Sequence, residues 1–313
     1  MRWVDRIGRR LKLRDIHVLM AVAQSGSMAK AARDLAVSQP VVSKTIGDLE
    51  HILGVQLFDR SPQGVCPTPF GRALLNRGVA AFDELRQGVK EIESLSDPTV
   101  GEVRIGATNP ITEGLLPVVI TRLWRQHPRL TIHVTQADAV ALLQNLRERT
   151  VDFIVGRTPN LTAARDLSLE ILFEEPQLVV AGPKNPLVRR RKIRLAELLD
   201  EPWILPPADA VAGALIAETF HAEGLALPQA VISCGTLPMT GVMLETGPFL
   251  AMFPRSLMKL APKRYPLKVL PVELPNLSRP VGLVTLRNRT LSPTAHLFTE
   301  RIRELAKSLV QAK

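Results

Sequence analysis

Ser38-Gln39-Pro40-Val41-Val42-Ser43-Lys44-Thr45-Ile46-Gly47-Asp48-Leu49-Glu50 reads as a helix with two unlike faces. Val42, Ile46 and Leu49, with Leu53 beyond them, recur at the three-and-four spacing of a buried helical stripe. Ser38 stands as the N-cap, and Pro40 falls in the first turn, where a missing N–H costs nothing. Gly54 follows as a residue that can end the helix in left-handed backbone. The opposite face offers Gln39, Pro40, Ser43, Lys44 and Gly47 close to the helix N-terminus. In a major groove, amide and hydroxyl groups can meet base edges, while Lys44 and free backbone N–H groups meet phosphate. Gly47 permits close approach. Taken alone, the same face also suits the solvated side of an ordinary three-helix bundle.

The flanking sequence narrows that choice. Ile16, Leu19, Met20 and Ala23 line one side of a preceding helix, and Gly26 ends it. Ser27 then caps a short helix whose Met28, Ala31, Ala32 and Leu35 face inward, the two alanines being small enough for helices to cross closely. After Gly54, two short strands around Ser61-Pro62-Gln63-Gly64 read as a β-hairpin, with proline second and glycine fourth in the turn. A hairpin directly after a helix-turn-helix is a wing, and Arg60 sits where it can touch phosphate or the minor groove. Thr68-Pro69 starts a further helix running to about residue 96 without an internal proline. Leu74, Ala81 and Leu95 recur at multiples of seven, Leu85 and Ile92 fall four residues after positions 81 and 88, and Gly78 and Gly88 complete the frame. That spacing predicts a dimerising coiled coil; the alternative is a helix packed on its own domain.

Four segments then add up to a resemblance: Gly26-Ser27-Met28-Ala29-Lys30-Ala31-Ala32-Arg33-Asp34-Leu35; Ser38 to Glu50 as quoted; Leu53-Gly54-Val55-Gln56-Leu57-Phe58-Asp59-Arg60; and Thr68-Pro69-Phe70-Gly71. Over about sixty residues without a gap, they resemble the N-terminal module of LysR-type transcriptional regulators. The resemblance implies that Gln39, Pro40, Ser43 and Lys44, with Ser38 at the cap, lie on the recognition helix and Arg60 on the wing. Two departures stand out. The family's second basic wing residue is replaced by Gln63 or its neighbours, and the dozen residues ahead of the first helix have no counterpart.

Length and composition agree with this reading. The chain has 313 residues, room for about two domains, and 46% apolar against 22% charged residues, enough for a packed core. Forty Lys and Arg stand against 30 Asp and Glu, and half of the resulting +10 lies in residues 1–72. A polyanionic partner is therefore permitted, though a merely basic tail gives the same number. With Cys66 and Cys234 as its two cysteines, the chain is not a disulfide scaffold and suits a reducing compartment. No zinc spacing and no apolar run of membrane-spanning length occur, and the basic N-terminus is not followed by a leader pattern. The expectation is a cytoplasmic protein with no metal, no cofactor and no membrane partner.

Pro98 and Gly101 punctuate the end of the long helix. Beyond them Val103, Ile105 and Ala107 read as a strand; Leu115, Leu116, Val119, Ile120 and Leu123 as a helix; Leu130, Ile132 and Val134 as a strand; Val140, Leu143 and Leu146 as a helix; and residues 152–156 as a strand. This alternation predicts a parallel sheet with helices on both faces. A second series opens at residues 178–181 and continues through strands at 203–205, 231–233 and 249–253, with helices near 209–223 and 238–245. A late strand (280–286) and a final amphipathic helix (295–310) close the chain.

The expected fold is α/β overall: a winged helix-turn-helix DNA-binding domain (1–68), a linker and dimerisation helix (69–98), and a two-lobed α/β effector domain (99–313) resembling periplasmic solute-binding proteins. Lobe I would take 99–173 and 272–313, lobe II 174–271. In open α/β sheets, ligands bind beyond the carboxyl ends of strands. Those positions make Thr108, Asn109, Pro110, Ile111, Asp138, Ala139, Pro207, Gly235 and Thr236 the candidate effector contacts, with Arg157 as a clamp for a carboxylate. Helix N-termini there favour an anionic effector. Equally, Thr108, Asn109 and Thr236 can simply cap helices, and Arg157 can be a surface charge. The run Arg189-Arg190-Arg191-Lys192 reads as a solvated loop.

Catalytic signatures are lacking: no Gly-x-Ser-x-Gly, phosphate loop, dinucleotide fingerprint or His-Glu-x-x-His occurs, and six histidines are scattered singly. By resemblance the chain is a non-enzymatic regulator, a homodimer or homotetramer binding double-stranded DNA at an inverted repeat, switched by a small molecule and working with RNA polymerase. The alternative is a cytosolic solute-binding or catalytic α/β protein whose N-terminal module only dimerises.

Overall fold

The computed structural model describes residues 10–61, 64–97, 100–157, 164–275 and 278–311. Gln63, Pro62, Pro98 and the basic residues Arg2, Arg6 and Arg9 lie outside them. The chain divides into two compact units, one ending at Val89 and the other beginning at Lys90.

In the first unit, α1 (Leu13–Ser25), α2 (Met28–Asp34) and α3 (Gln39–Leu53) enclose a core in which Leu19, Val22, Ala31, Val42 and Ile46 have no measurable exposure. Ala31 and Ala32 sit where α2 crosses its neighbours, so larger side chains would push the helices apart. Gly26 and Gly54 end α1 and α3 in left-handed backbone, as their lack of a Cβ allows. Strands β1 (Phe58–Ser61) and β2 (Gly64–Pro67) pair antiparallel to form the wing.

Helix α4 (Pro69–Ser96) corrects the heptad expectation. Leu74 packs on the three-helix core, and a Cβ on Gly78 would press into the Ile16 side chain. These two positions belong to an intradomain face. The exposed apolar stripe lies further along, at Leu85, Val89, Ile92 and Leu95, which are 52–79% exposed. The first turns of the helix thus serve their own domain and the last turns do not.

The second unit is built on one mixed sheet. Its strands are β3 (Val100–Ala107), β4 (Arg129–Gln136), β5 (Phe153–Arg157), β6 (Leu167–Ala181), β7 (Trp203–Leu205), β8 (Ala230–Ser233), β9 (Leu250–Pro254), β10 (Lys268–Val269) and β11 (Ser278–Leu286). They follow the order β4-β3-β5-β11-β6-β9-β7-β8, with β10 beside β6. The parallel pairing expected of the β-α-β alternation holds for β3 with β4 and β5, and for β7 with β8 and β9, but β11 runs antiparallel to both β5 and β6, and β6 antiparallel to β9. The cause is connectivity. β6 carries the chain out of the first lobe and β11 brings it back, and the two pair as antiparallel neighbours at the crossing. β6 is a single strand of 15 residues that pairs with β11 over its first part and with β9 and β10 over its last. The expected division at residue 174 therefore falls inside one strand.

Helices α5 (Asn109–Glu113), α6 (Leu115–Gln126), α7 (Ala139–Arg147), α8 (Val211–Ala222), α9 (Leu237–Thr246), α10 (Arg255–Leu260) and α11 (Pro293–Gln311) cover the sheet. α6 and α11 close one face of the first lobe around Phe153, Phe298 and Ile302, and α7 closes the other through Leu142 and Leu146. Val140, expected on that inner stripe, is 77% exposed. Asp138 caps α7 by accepting from the Ala141 N–H at 2.8 Å, and the register so set turns Val140 to solvent. In the second lobe α8 packs with Trp203 and Phe220, while α9 and α10 pack on the other face with Leu244 and Leu257.

Candidate nucleic-acid interface and effector cleft

The N-terminal end of α3 stands clear of its domain. Ser38, Gln39, Pro40 and Lys44 are exposed, and Ser43 is half-buried between them and the core stripe. Ser38 occupies the N-cap but makes no side-chain capping bond, while its carbonyl accepts from the Val41 N–H at 3.1 Å. Arg60, on β1, is half-exposed, with Nη2 3.7 Å from Glu50 Oε2.

Glu50 is a residue the sequence reading did not single out, and it positions the wing. Its Oε1 accepts from the Leu57 N–H at 2.8 Å and the Phe58 N–H at 3.3 Å, tying the end of α3 to the first wing strand. The other wing strand is held by Val65 N–H donating to the Gly26 carbonyl at 3.0 Å. Gly64 has φ +134°, and a Cβ there would lie 2.6 Å from the Gly26 oxygen. Only glycine fits that approach. Below the wing, Thr68 N–H donates to the Leu57 carbonyl at 2.9 Å, and its hydroxyl accepts from the Gly71 N–H at 3.0 Å, so recognition helix, wing and α4 are locked together.

In the second unit a cavity of about 120 Å³ opens between the lobes. From the first lobe it takes Asn109 and Pro110 at the start of α5 and Arg157 at the end of β5, and from β6, where that strand passes between the lobes beside β9, it takes Gln177. From the second it takes Gly235, Thr236, Cys234 and Thr240 around the start of α9, and an apolar wall that includes Ile204, Ile216, Met252 and Phe253. Arg157, Asn109, Pro110, Gly235 and Thr236 are thus brought together. The remaining candidates lie elsewhere. Ile111 is 1% exposed and belongs to the first lobe's core, because its helix turns it inward. Asp138 is occupied as the α7 cap, and Ala139 begins that helix, neither being among the lining residues. Pro207 is replaced at the wall by Pro206, since its carbonyl accepts the Ala210 N–H at 3.0 Å ahead of α8. Thr108 stands at the α5 N-cap without a side-chain capping bond, and its backbone N–H donates to the Val155 carbonyl at 3.3 Å.

Gln177 was not legible in the sequence, where it is one polar residue in a strand. Its Nε2, like Arg157 Nη2, is buried without a hydrogen-bond partner. Burial pulls the Arg157 guanidinium below its ordinary pKa, while the negative charge of Glu175 acts against that shift. The Glu175 carboxyl is itself pushed up by burial, even though it accepts from the Ser256 N–H at 3.0 Å and from the Ser256 hydroxyl. Burial raises the Cys234 thiol, but its bonds with Thr236 and Thr240 outweigh burial and hold it below the ordinary thiol value. At one side of the lobes Glu113 on α5 joins Arg264 at 2.9 Å and the Tyr265 hydroxyl at 3.2 Å; burial first, then the Glu113 charge, pushes Tyr265 up to about 12.

Among the described residues no group of three His, Cys, Asp or Glu is placed to hold a metal, and no helix is long and apolar enough to cross a membrane. Cys66 and Cys234 are both free thiols.

An exposed recognition helix with a braced wing, and a two-lobed α/β unit with a cleft, define a ligand-responsive DNA-binding protein. Residues 13–72 match the bacterial regulatory helix-turn-helix proteins of the lysR family, and residues 96–307 match the LysR substrate binding domain. The chain belongs to the LysR family of transcriptional regulators. It is 30% identical to the HTH-type transcriptional regulator GbpR of Azospirillum brasilense over 94% of this chain and 86% of that one. It is 27% identical to the transcriptional dual regulator GltC of Bacillus subtilis over 96% and 99%. Full-length BenM shares the fold with a TM-score of 0.54 and 23% identity, over 96% of this chain and 98% of that one. Full-length CbnR in complex with its target DNA does so with 0.55 and 20%, over 95% of this chain and all of that one.

Proposed function

We propose that this regulator binds an inverted-repeat promoter site as a homodimer that assembles further into a homotetramer, acting in the cytoplasm by binding and not by catalysis. Residues 1–68 read double-stranded DNA, 69–98 pair the subunits, and 99–313 hold a small-molecule effector. Ser38, Gln39, Pro40, Ser43 and Lys44 contact the major groove and its phosphates, and Arg60 contacts the backbone or minor groove from the wing. The effector sits between the lobes against Asn109, Pro110, Arg157, Gly235 and Thr236. RNA polymerase is the partner when the protein activates. Effector binding shifts the population between two lobe arrangements, which requires different affinity for each.

The observation that carries this reading is the exposed polar end of α3, held rigid by Glu50 and the wing. A solvated bundle face needs no such bracing. Selection of sites from a random DNA library by the full-length protein tests it. A pseudo-palindrome should emerge, because two equivalent helices read two half-sites. Enrichment of a lone half-site, or of nothing, contradicts it.

Pairing through α4 makes its own prediction. Leu85→Asp with Ile92→Asp places charges on the exposed stripe and touches no core position. The variant should sediment at lower subunit number. Losing the second half-site should weaken operator binding by about 100-fold or more, the usual range of avidity. An unchanged mass would move the interface elsewhere.

A further inference from the structure

The cleft carries a charge and shape pattern that says more than where an effector sits. Arg157 is the only charged residue among the described ones lining it. Its Nη2 and the Gln177 Nε2 are both buried and both lack an acceptor. A desolvated guanidinium N–H without a partner is costly, and two such donors from two strands at one cavity mark the place of a missing acceptor. The carboxylate nearest in effect, Glu175, is engaged with both the N–H and the hydroxyl of Ser256. Arg279 adds to the positive field at Arg157 but is itself paired with Glu218 on α8. No second cation faces the cleft from the remaining described wall, where Ile204, Ile216, Met252 and Phe253 offer hydrocarbon.

We infer that the effector is a compact organic monoanion: a single carboxylate-type head accepting from Arg157 and Gln177, and an uncharged, apolar body of a few carbons against Ile204, Ile216, Met252 and Phe253. The inference rests on the cleft being the effector site. A second carboxylate would meet only neutral groups, the apolar wall or the start of α9 at Thr236 and Thr240, with no counter-ion to offset its desolvation. A neutral amide would leave the guanidinium without its charge partner. The size follows from the cavity, about 120 Å³, a little smaller than the roughly 150 Å³ that takes benzene in an engineered apolar cavity.

Cys234 lies in the same wall and reports occupancy. In a Cys66→Ser full-length protein it is the single thiol, and its alkylation rate by iodoacetamide measures access to the cleft. The probes are a panel of straight, branched and aromatic monocarboxylic acids of three to seven carbons, each with its amide, and the dicarboxylic acids butanedioate and pentanedioate. At millimolar concentration at least one monoacid should slow alkylation about fivefold or more and raise the thermal midpoint, while its amide and both diacids do neither. Arg157→Gln should abolish the protection. Arg157→Lys, which keeps the charge but loses the planar fork, and Gln177→Leu, which removes the second donor, should each weaken it about tenfold. The midpoints of the unliganded variants, read in the same experiment, separate misfolding from lost binding.

Protection by an amide or a diacid equal to that by the monoacid overturns the monoanion while leaving the cleft as the effector site. Failure of every monoacid to protect overturns it too. Stabilisation by a monoacid without protection of Cys234, and indifferent to Arg157→Gln, overturns the cleft reading itself.

Discussion

Lys44→Ala with Arg60→Ala is expected to flatten the salt dependence of operator binding by about three to four units of slope, since each lost phosphate contact removes roughly 0.9 and a bound dimer loses four of them. Both side chains are exposed, one at the open end of α3 and one on the wing, and neither contributes to the three-helix core. The loss should therefore be uniform across DNA sequences, and the thermal midpoint should hardly move, as for surface substitutions generally. Gln39→Ala should behave differently. An amide reading a base edge contributes roughly 1–3 kcal/mol of discrimination, so its removal should relax sequence preference at one position of each half-site while keeping the salt slope. Fluorescence anisotropy of operator and scrambled DNA across a salt series reads both effects together. If the double variant keeps the parental slope, the recognition surface has been placed on the wrong face of the domain.

Asp152→Ala is expected to destabilise the effector-binding unit by roughly 3–5 kcal/mol, the range for removing one partner of a buried ion pair. Asp152 Oδ1 accepts from Arg289 Nη2 at 2.8 Å with both side chains almost fully enclosed, at 4% and 2% exposure. Its Oδ2 accepts from the Arg104 N–H at 2.8 Å, and Arg289 Nη1 donates to the Val151 carbonyl at 2.7 Å. One carboxylate thus binds β3 and the entry to β5 to the segment after β11. Without it, the Arg289 charge stays buried and loses the Asp152 carboxylate. Urea unfolding followed by tryptophan fluorescence measures the effect, and Asp152→Ala with Arg289→Met should recover part of the loss by removing the buried charge that faced Asp152. A single variant as stable as the parent would show that the pair is dispensable.

The two predictions differ in how far sequence could have led to them. The recognition helix is written in adjacent residues: a stripe at Val42, Ile46 and Leu49, a cap at Ser38, and a polar face between. Helical period and capping are local rules, so α3, the wing hairpin and the start of α4 at Thr68-Pro69 can be read directly. Asp152 and Arg289 are 137 residues apart, and nothing in either neighbourhood announces the pair. Gln177 is similar: its place in the cleft depends on β6 passing unbroken from one lobe to the other.

Sequence by itself determined the family resemblance, the polar exposed face of α3 and the alternation of strands and helices, because these rest on patterns confined to one element. Tertiary structure decided the direction of β6 and β11, the split duties of α4 and the removal of Ile111, Asp138, Ala139 and Pro207 from the cleft wall. Each of those depends on which distant surface an element meets. A side chain's neighbours across a sheet or between helices are set by chain path, and period within one element carries no record of that path.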